Sequence, residues 1–414
     1  MALEEAKKSV YLCARCGYCR DMVRARDGTD LMCPLRETSS GFESAIARGR
    51  NWIFRQALEG RIGPSDFSKK FVDRLYMCLL CGNCTEHCLV LDPSSWTRFP
   101  KNKFVDHLIN NDEITMALRS LVIEEGRLPV QIRNVLENIR RFGNPLGAPP
   151  KERETFKKAL DFDIKNATEE KCEVLLYLGS IAPYNQRNQR TIQALARVLK
   201  ASNVDFGTFG DKETESGGLV RELGEMGLFE ELSQRNAELF QTYGINRIVC
   251  LSPHDYHTFV NYYQDVIEGG LVGIEVQHYT QFLSDLVRNG ELEIRGNLRR
   301  TVTFHDPCNL GRKSGGFYDP PRELIRATGA KLAEMRLRRE NSYCCGGGGG
   351  GGLWYEPEDE PKVENQRAKQ ALETGADTLL VACPQCAQML EDGMKAVEGT
   401  MEVLDLAELI EENI

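Results

Sequence analysis

Two short runs of cysteine constrain this chain more than any other feature. Cys13, Cys16 and Cys19 stand at i, i+3 and i+6, and Cys78, Cys81 and Cys84 repeat that spacing further along. Cys88 completes the second run as CxxCxxCxxxC, while Cys33, followed by Pro34, stands beyond the first. This is the run that holds a cubane [4Fe–4S] cluster in bacterial ferredoxins. Three thiolates so spaced wrap a tight loop around one corner of a cube. A short loop cannot encircle the whole cluster, so the fourth ligand comes from a distant cysteine. In two-cluster ferredoxins the fourth cysteine of each run serves the other cluster. The expected sets are therefore crossed: Cys13, Cys16, Cys19 and Cys88 for one cluster, and Cys78, Cys81, Cys84 and Cys33 for the second. The alternative is a pair of four-cysteine zinc sites, but zinc ribbons use CxxC pairs and would leave the third cysteine of each triple surplus. His87 lies inside the second run, where a complete cysteine set leaves it a supporting or surface place.

The remaining cysteines agree with metal rather than disulfide chemistry. The total is 15, an odd number, and residues 1–8 carry Glu4 and Glu5 with no apolar leader, so a cytoplasmic protein is expected. The net charge of −9 lacks the footprint of a non-specific nucleic-acid binder. No run of 18 apolar residues predicts a transmembrane helix.

A chain of 414 residues suggests about two or three domains. Residues 41–58 and 67–77 read as helices around the cysteine runs, and residues 101–170 as mostly helical. Asn144-Pro145, Gly147 and Pro149-Pro150 mark a break. Beyond it the texture becomes βα alternation: strands at 174–178, 248–251, 301–304 and 378–382, and helices at 187–200, 219–243 and 362–374. The expected class is α+β. A helical two-cluster domain (1–110) and a helical linker (111–171) precede two similar α/β units (172–298 and 299–414) related by a pseudo-twofold. In the second unit Cys308 follows a strand, then come Cys344-Cys345-Gly346 and Cys383-Pro384-Gln385-Cys386. Sliding the first unit over it puts Ser180, Glu215, Ser216, Ser252 and Asp255 at the positions of those five cysteines. The chain reads as two copies of one metal-binding unit, with the first stripped of its thiols.

The pattern C…CCG…CxxC resembles the CCG domain of heterodisulfide reductases. Together with the N-terminal runs, the chain resembles the D-type subunit of these reductases along nearly its whole length. His305-Asp306-Pro307-Cys308-Asn309-Leu310-Gly311-Arg312, Arg339-Glu340-Asn341-Ser342-Tyr343-Cys344-Cys345-Gly346 and Ala382-Cys383-Pro384-Gln385-Cys386 carry the match. The resemblance implies a non-cubane [4Fe–4S] cluster held by Cys308, Cys344, Cys345, Cys383 and Cys386. In that family two such clusters face a disulfide substrate; here the second set of thiolates is gone. Related proteins serve acyl-CoA and aromatic acyl-CoA metabolism. The implied partners are other redox proteins of a multi-subunit complex: a flavin-containing protein like the family's A-type component, or a membrane electron carrier. They are needed because no GxGxxG fingerprint follows a strand here.

Adjacent cysteines cannot face one way in regular structure, so a loop is expected at Cys344-Cys345. Gly346 to Gly352 reads either as part of that loop or as a low-complexity linker. Cys172 and Cys250 read as buried apolar thiols. His254 and His257 are candidates to line the stripped site. His305 is a candidate to meet the cluster, and Arg312 and Lys313 to attract an anion or to be solvated. Three functions compete: an electron-relaying member of an oxidoreductase complex, a disulfide or thiol-substrate reductase working at the single CCG cluster, and a scaffold in which only the cubanes conduct. The first is the expectation and the second its alternative.

Overall fold

The computed structural model describes residues 2–25, 28–31, 33–38, 42–90, 108–355 and 362–414. They form two compact units. The first comprises Met1–Arg133, Val220–Met226 and Gly346–Val363, and the second Asn134–Leu219, Gly227–Cys345 and Glu364–Ile414.

The first unit is mainly helical: α1 (Ala2–Leu12), a hairpin β1 (Asp21–Ala25) and β2 (Gly28–Leu31), α2 (Pro34–Thr38), α3 (Ala47–Leu58), α4 (Lys69–Tyr76), α5 (Asn83–Glu86), α6 (Asn111–Glu124) and the start of α7 (Val130–Phe142). Caps set the starts. Ser68 Oγ accepts from Phe71 N at 3.2 Å, and Asn110 Oδ1 accepts from Asp112 N and Glu113 N, satisfying amides that the first turn leaves without partners. The helix expected at 41–58 is interrupted. Glu43–Ala45 forms a 3₁₀ turn and Ile46 is extended before α3, while Gly41 lies outside the described residues. The chain doubles back so tightly there that a Cβ on Gly49 would sit 2.0 Å from the Glu43 carbonyl oxygen. Phe54, Leu75, Ile114 and Leu118 are fully buried between α3, α4 and α6. Of the expected helical stretch 101–170, residues 101–107 lie outside the described residues. The rest gives α6, α7 and a 3₁₀ segment, Pro150–Ala159, with the break between them where the prolines and glycines predict it.

The second unit contains two parallel sheets. The chain runs β3 (Lys165–Asn166), β4 (Val174–Tyr177), α8 (Gln186–Ala201), β5 (Phe206–Thr208), α9 (Gly218–Leu223), α10 (Met226–Thr242), β6 (Arg247–Cys250), α11 (Pro253–His257), β7 (Glu275–His278) and α12 (Tyr279–Asn289). It then repeats the plan as β8 (Thr301–Phe304), α13 (Asp319–Ala327), β9 (Lys331–Leu332), α14 (Val363–Leu372), β10 (Thr378–Val381), α15 (Pro384–Ala396), β11 (Glu402–Asp405) and α16 (Leu406–Glu411). The sheet orders are β3-β5-β4-β6-β7 and β9-β8-β10-β11, so the second matches the first without β3. Central strands such as Val174–Tyr177 and Thr378–Val381 are mostly apolar and buried throughout, as strands covered on both faces must be. The helix expected at 219–243 is broken at Gly224-Glu225. Gly224, in the Val220–Met226 stretch that belongs to the first unit, has φ +97°, and a Cβ there would lie 2.7 Å from that of Arg119.

The halves meet through reciprocal pairs: α8 packs on α16, and its counterpart α13 packs on α12. Ile192, Leu195 and Leu199 share one core with Leu406, Leu409 and Ile410, and Phe282, Leu283 and Leu286 share it with Leu324 and Ile325. Burial of these side chains, each worth about 1.5–3 kcal/mol, is what fuses the halves. Polar pairs repeat the symmetry, with Arg187 to Glu408 at 2.7 Å on one side and Ser284 to Glu323 at 2.7 Å on the other.

Candidate functional site

In the first unit the eight cysteines sort into two groups. One cavity is lined by Cys13, Cys16, Cys19 and Cys88, together with Arg48, Asn51 and Asn111. A second is lined by Cys33, Cys78, Cys81 and Cys84, together with Arg50, Asn83 and Asp112. Both triples share one backbone device. In Cys13-Ala14-Arg15-Cys16-Gly17, Arg15 has φ +56° and Gly17 +79°; in Cys78-Leu79-Leu80-Cys81-Gly82, Leu80 has φ +44° and Gly82 +75°. A left-handed non-glycine residue costs on the order of 1 kcal/mol. Left-handed residues at alternate positions allow a loop to turn its amides toward one centre, which would suit an anionic cluster. Burial pushes the Cys19 thiol up to about 11 and Cys33 to about 12. Such thiols become thiolates only when a metal takes the proton's place. The donor set and loop conformation fit iron–sulfur clusters. His87 is 1% exposed, which removes the surface reading.

The glycine run is not a free linker. Gly346–Gly351 are buried, and the run lies against the backbone of the second cysteine loop: a Cβ on Gly349 would stand 2.5 Å from the carbonyl carbon of Leu79, and one on Gly351 2.5 Å from the Met77 oxygen. Arg119, fully buried, ties these strands of chain together. It donates to the Leu75, Cys78 and Glu222 oxygens at 2.8, 2.8 and 2.6 Å and also to the Gly349 oxygen.

In the second unit the five CCG cysteines converge. Cys386 Sγ lies 3.3 Å from Cys345 Sγ; Cys344 bonds to both Cys308 and Cys345, and Cys383 to Cys386. All are free thiols, and all but Cys308 are buried. Hydrogen bonds from Cys344, Cys386 and His305 hold Cys345 well below the usual thiol range. Burial opposes ionisation of Cys383, but Cys386 and His254 beside it bring it to about 6. Arg367 Nε donates to His305 Nδ1 at 3.0 Å, which puts the imidazole proton on Nε2, toward Cys345. Arg312 is nearly buried. It braces the loop before Cys344 by donating to the Ser342 oxygen at 2.6 Å, so the solvated reading of this arginine fails.

The stripped half is assembled differently. Ladder pairs Leu175–Ile248 and Leu176–Val249 correspond to Thr303–Leu379 and Phe304–Leu380. Carrying that register into the loops makes Ser180 the equivalent of Cys308, Ser252 of Cys383 and Asp255 of Cys386. Asp255 bonds to Ser216. Glu215 turns away, accepting from the amides of Gly217 and Leu219. Ser252 caps α11 and reaches Gln385 at 3.5 Å. Arg153 and Glu213, neither singled out by spacing, fill the interior: a buried ion pair, with Arg153 also donating to the Gly179 oxygen at 3.0 Å and Glu213 accepting from Gly179 N at 2.8 Å. Burial raises Glu213 to about 7 and Asp255 to about 6. His254 lies close enough to Asp255 to favour its charged form, but the ring contacts of His254 and His257 reach into the second half. His254 Nδ1 accepts from Asn309 at 2.9 Å and His254 contacts Cys383; His257 pairs with Ser314 at 2.9 Å. Cys250 is fully buried as expected, and Cys172 is half-buried.

Family models match in two places: a 4Fe-4S dicluster domain over residues 9–90 and a cysteine-rich CCG domain over 302–391. The chain is 32% identical to the "Probable iron-sulfur-binding oxidoreductase FadF" of Bacillus subtilis, over 98% of this chain and 60% of that protein. It is 31% identical to the "EtfAB:quinone oxidoreductase" of Syntrophomonas wolfei, over 82% of this chain and 46% of that protein. The chain thus spans about half the length of these two relatives. It is 28% identical to the D-type subunit of the dihydromethanophenazine:CoB–CoM heterodisulfide reductase of Methanosarcina barkeri, over 97% of this chain and 93% of that protein. Among the described residues no helix is long and apolar enough to cross a membrane. With a dicluster region in front of a CCG region and this likeness along almost its full length, the chain is an iron–sulfur protein similar to the D-type component of heterodisulfide reductase.

Proposed function

We propose that the chain relays single electrons through two cubane clusters to or from a non-cubane cluster at the CCG cysteines, as one member of a larger redox complex. Cys13, Cys16, Cys19 and Cys88 ligate one cubane, and Cys33, Cys78, Cys81 and Cys84 the other. Cys308, Cys344, Cys345, Cys383 and Cys386 hold the third centre. The observation that carries this reading is the sorting of eight cysteines into two quartets, each completed by the fourth cysteine of the other run. In this proposal residues 1–110 form the dicluster domain, 111–171 the linker, and 172–298 and 299–414 two copies of one module. The two-electron partner is a flavoprotein or a membrane electron carrier of quinone class, the acceptor named for the Syntrophomonas relative. The chain works on the cytoplasmic side, peripheral to the membrane through its partners, in reactions linked to acyl-CoA reduction.

The chain's own part is to supply thiolates, to aim loop amides at the clusters and to keep the CCG centre largely dry. Anaerobically purified full-length protein should hold about twelve iron and bleach near roughly 400 nm with dithionite. Stoichiometric zinc without visible absorption would overturn the reading. Cys33→Ser should damage the cluster of Cys78, Cys81 and Cys84; loss confined to the Cys13 cluster would refute the crossed assignment. The partial exposure of Cys308 favours a second reading, in which a disulfide or thiol substrate is reduced at the CCG centre. Turnover of a disulfide that is abolished by loss of this centre alone would favour it over the relay.

A further inference from the structure

We propose that Arg50 and Asn51, neighbours on α3, form a polar partition that sets the reduction potentials of the two cubane sites, with Arg50 acting on both and Asn51 on one. This rests on the relay reading above. Arg50 lines the cavity of Cys33, Cys78, Cys81 and Cys84, whereas Asn51 lines that of Cys13, Cys16, Cys19 and Cys88. One turn of helix therefore serves both quartets.

Arg50 is 1% exposed. Its Nε donates to Thr115 Oγ1 at 3.1 Å and its Nη1 to the Ala45 oxygen at 2.7 Å, so its position is fixed. Its charge acts on Cys78, Cys84 and Cys33 on one side and on Cys19 on the other. A buried cation is retained where anions compensate it, and here the compensating groups come from both quartets. Asn51 Nδ2 reaches Cys13 Sγ at 3.5 Å and Asn111 Oδ1 at 2.8 Å, and Asn111 Nδ2 donates to the Cys84 oxygen at 2.8 Å. The partition is thus continuous from a sulfur of one quartet to the backbone of the other. Asp112 lines the Arg50 cavity and opposes Arg50 at Cys84.

One-electron reduction places one more negative charge at either site, with no bond made or broken. A cation facing both sites stabilises both reduced states, and an amide donating to one sulfur stabilises one, since hydrogen bonds to sulfur and local charge set cluster potentials. The low-dielectric surroundings enlarge the effect.

The test is an electron paramagnetic resonance-monitored potential titration of full-length protein, with dithionite as reductant and iron content measured on each sample. Arg50→Gln should keep its iron and lower the reduced-to-oxidised ratio of both cubanes about tenfold at fixed potential, a 59 mV shift for one electron. Asn51→Leu should lower only the Cys13 cluster, and Asp112→Asn should raise only the Cys78 cluster. Arg50→Lys, which keeps the charge, should leave both potentials within about 20 mV of wild type, a third of that tenfold interval. Should Arg50→Gln lose iron, the other three variants carry the test. Unmoved potentials with full iron, or an Arg50→Gln shift confined to one cluster, would overturn the proposal. A wild-type protein lacking cubanes would instead overturn the relay reading itself.

Discussion

The two halves of the second unit share strand order, ladder register and helix placement, yet one gathers five thiols and the other gathers none. Thiol burial is therefore not what specifies this α/β unit; the buried strands and the reciprocal helix pairs do that. The stripped half also shows what can stand in place of a ligand set. Where the intact half points sulfur inward, the other holds the Arg153–Glu213 pair and Asp255, a cation among carboxylates. It remains tied to its neighbour through His254, which reaches Asn309 and Cys383. The first half has become part of the wall of the second half's centre.

Substitutions that treat the halves alike should sharpen this contrast. The largest difference is expected in metal content. Cys345→Ser should remove the CCG centre, about four of about twelve iron, and leave both cubane signals intact, whereas Ser252→Ala should change no iron count. Parallel iron analysis decides, and equal losses would erase the comparison.

Next comes stability. Arg153→Met strands buried Glu213 and should cost about 3–5 kcal/mol in denaturant unfolding. Arg153→Met combined with Glu213→Leu should recover most of it, because well-packed apolar pairs commonly match buried ion pairs. A double variant as unstable as the single would show that the pair does more than fill space.

A smaller effect is expected from His254→Leu. Iron content should stay full while the potential of the CCG centre alone moves, since outer groups tune bound metal. A cubane shift would contradict the placement of His254.

The smallest effect concerns pH. Glu213 at about 7 and Asp255 at about 6 sit above the ordinary carboxylate range through burial. The folded state keeps protons that the unfolded chain releases above about pH 4.5. Their contribution is thus full below that pH and lost as pH rises through 6 and 7. Thermal unfolding should occur at lower temperature at pH 7.5 than at 5.5. Asp405, also about 7, adds to the slope, so the readout is its reduction in Glu213→Gln.

Cysteine spacing makes the grouping of the cysteines legible because such runs are local and periodic. The same holds for the strands, whose apolar runs fall within a residue or two of β4, β6, β8 and β10. The repeat is legible from offsets that the ladder register reproduces at Ser180, Ser252 and Asp255. What the sequence hides are the buried charges. Arg50, Arg119, Arg153 and Arg367 look like surface arginines in any window, and only tertiary contacts bury them. Offsets select Glu215 rather than Glu213, because they count residues but do not say which side chain turns inward. The β1–β2 hairpin escapes a reading of the sequence although Asp27-Gly28 is a turn signal, because its flanking residues lack apolar alternation.

On the relay proposal three iron–sulfur centres occupy this chain and the stripped half holds none. Anomalous scattering at the iron edge from anaerobic crystals tests it directly. The predicted map has iron at the two N-terminal quartets and at Cys308, Cys344, Cys345, Cys383 and Cys386, with none near Arg153. Iron within bonding distance of Ser252 or Asp255 would contradict it.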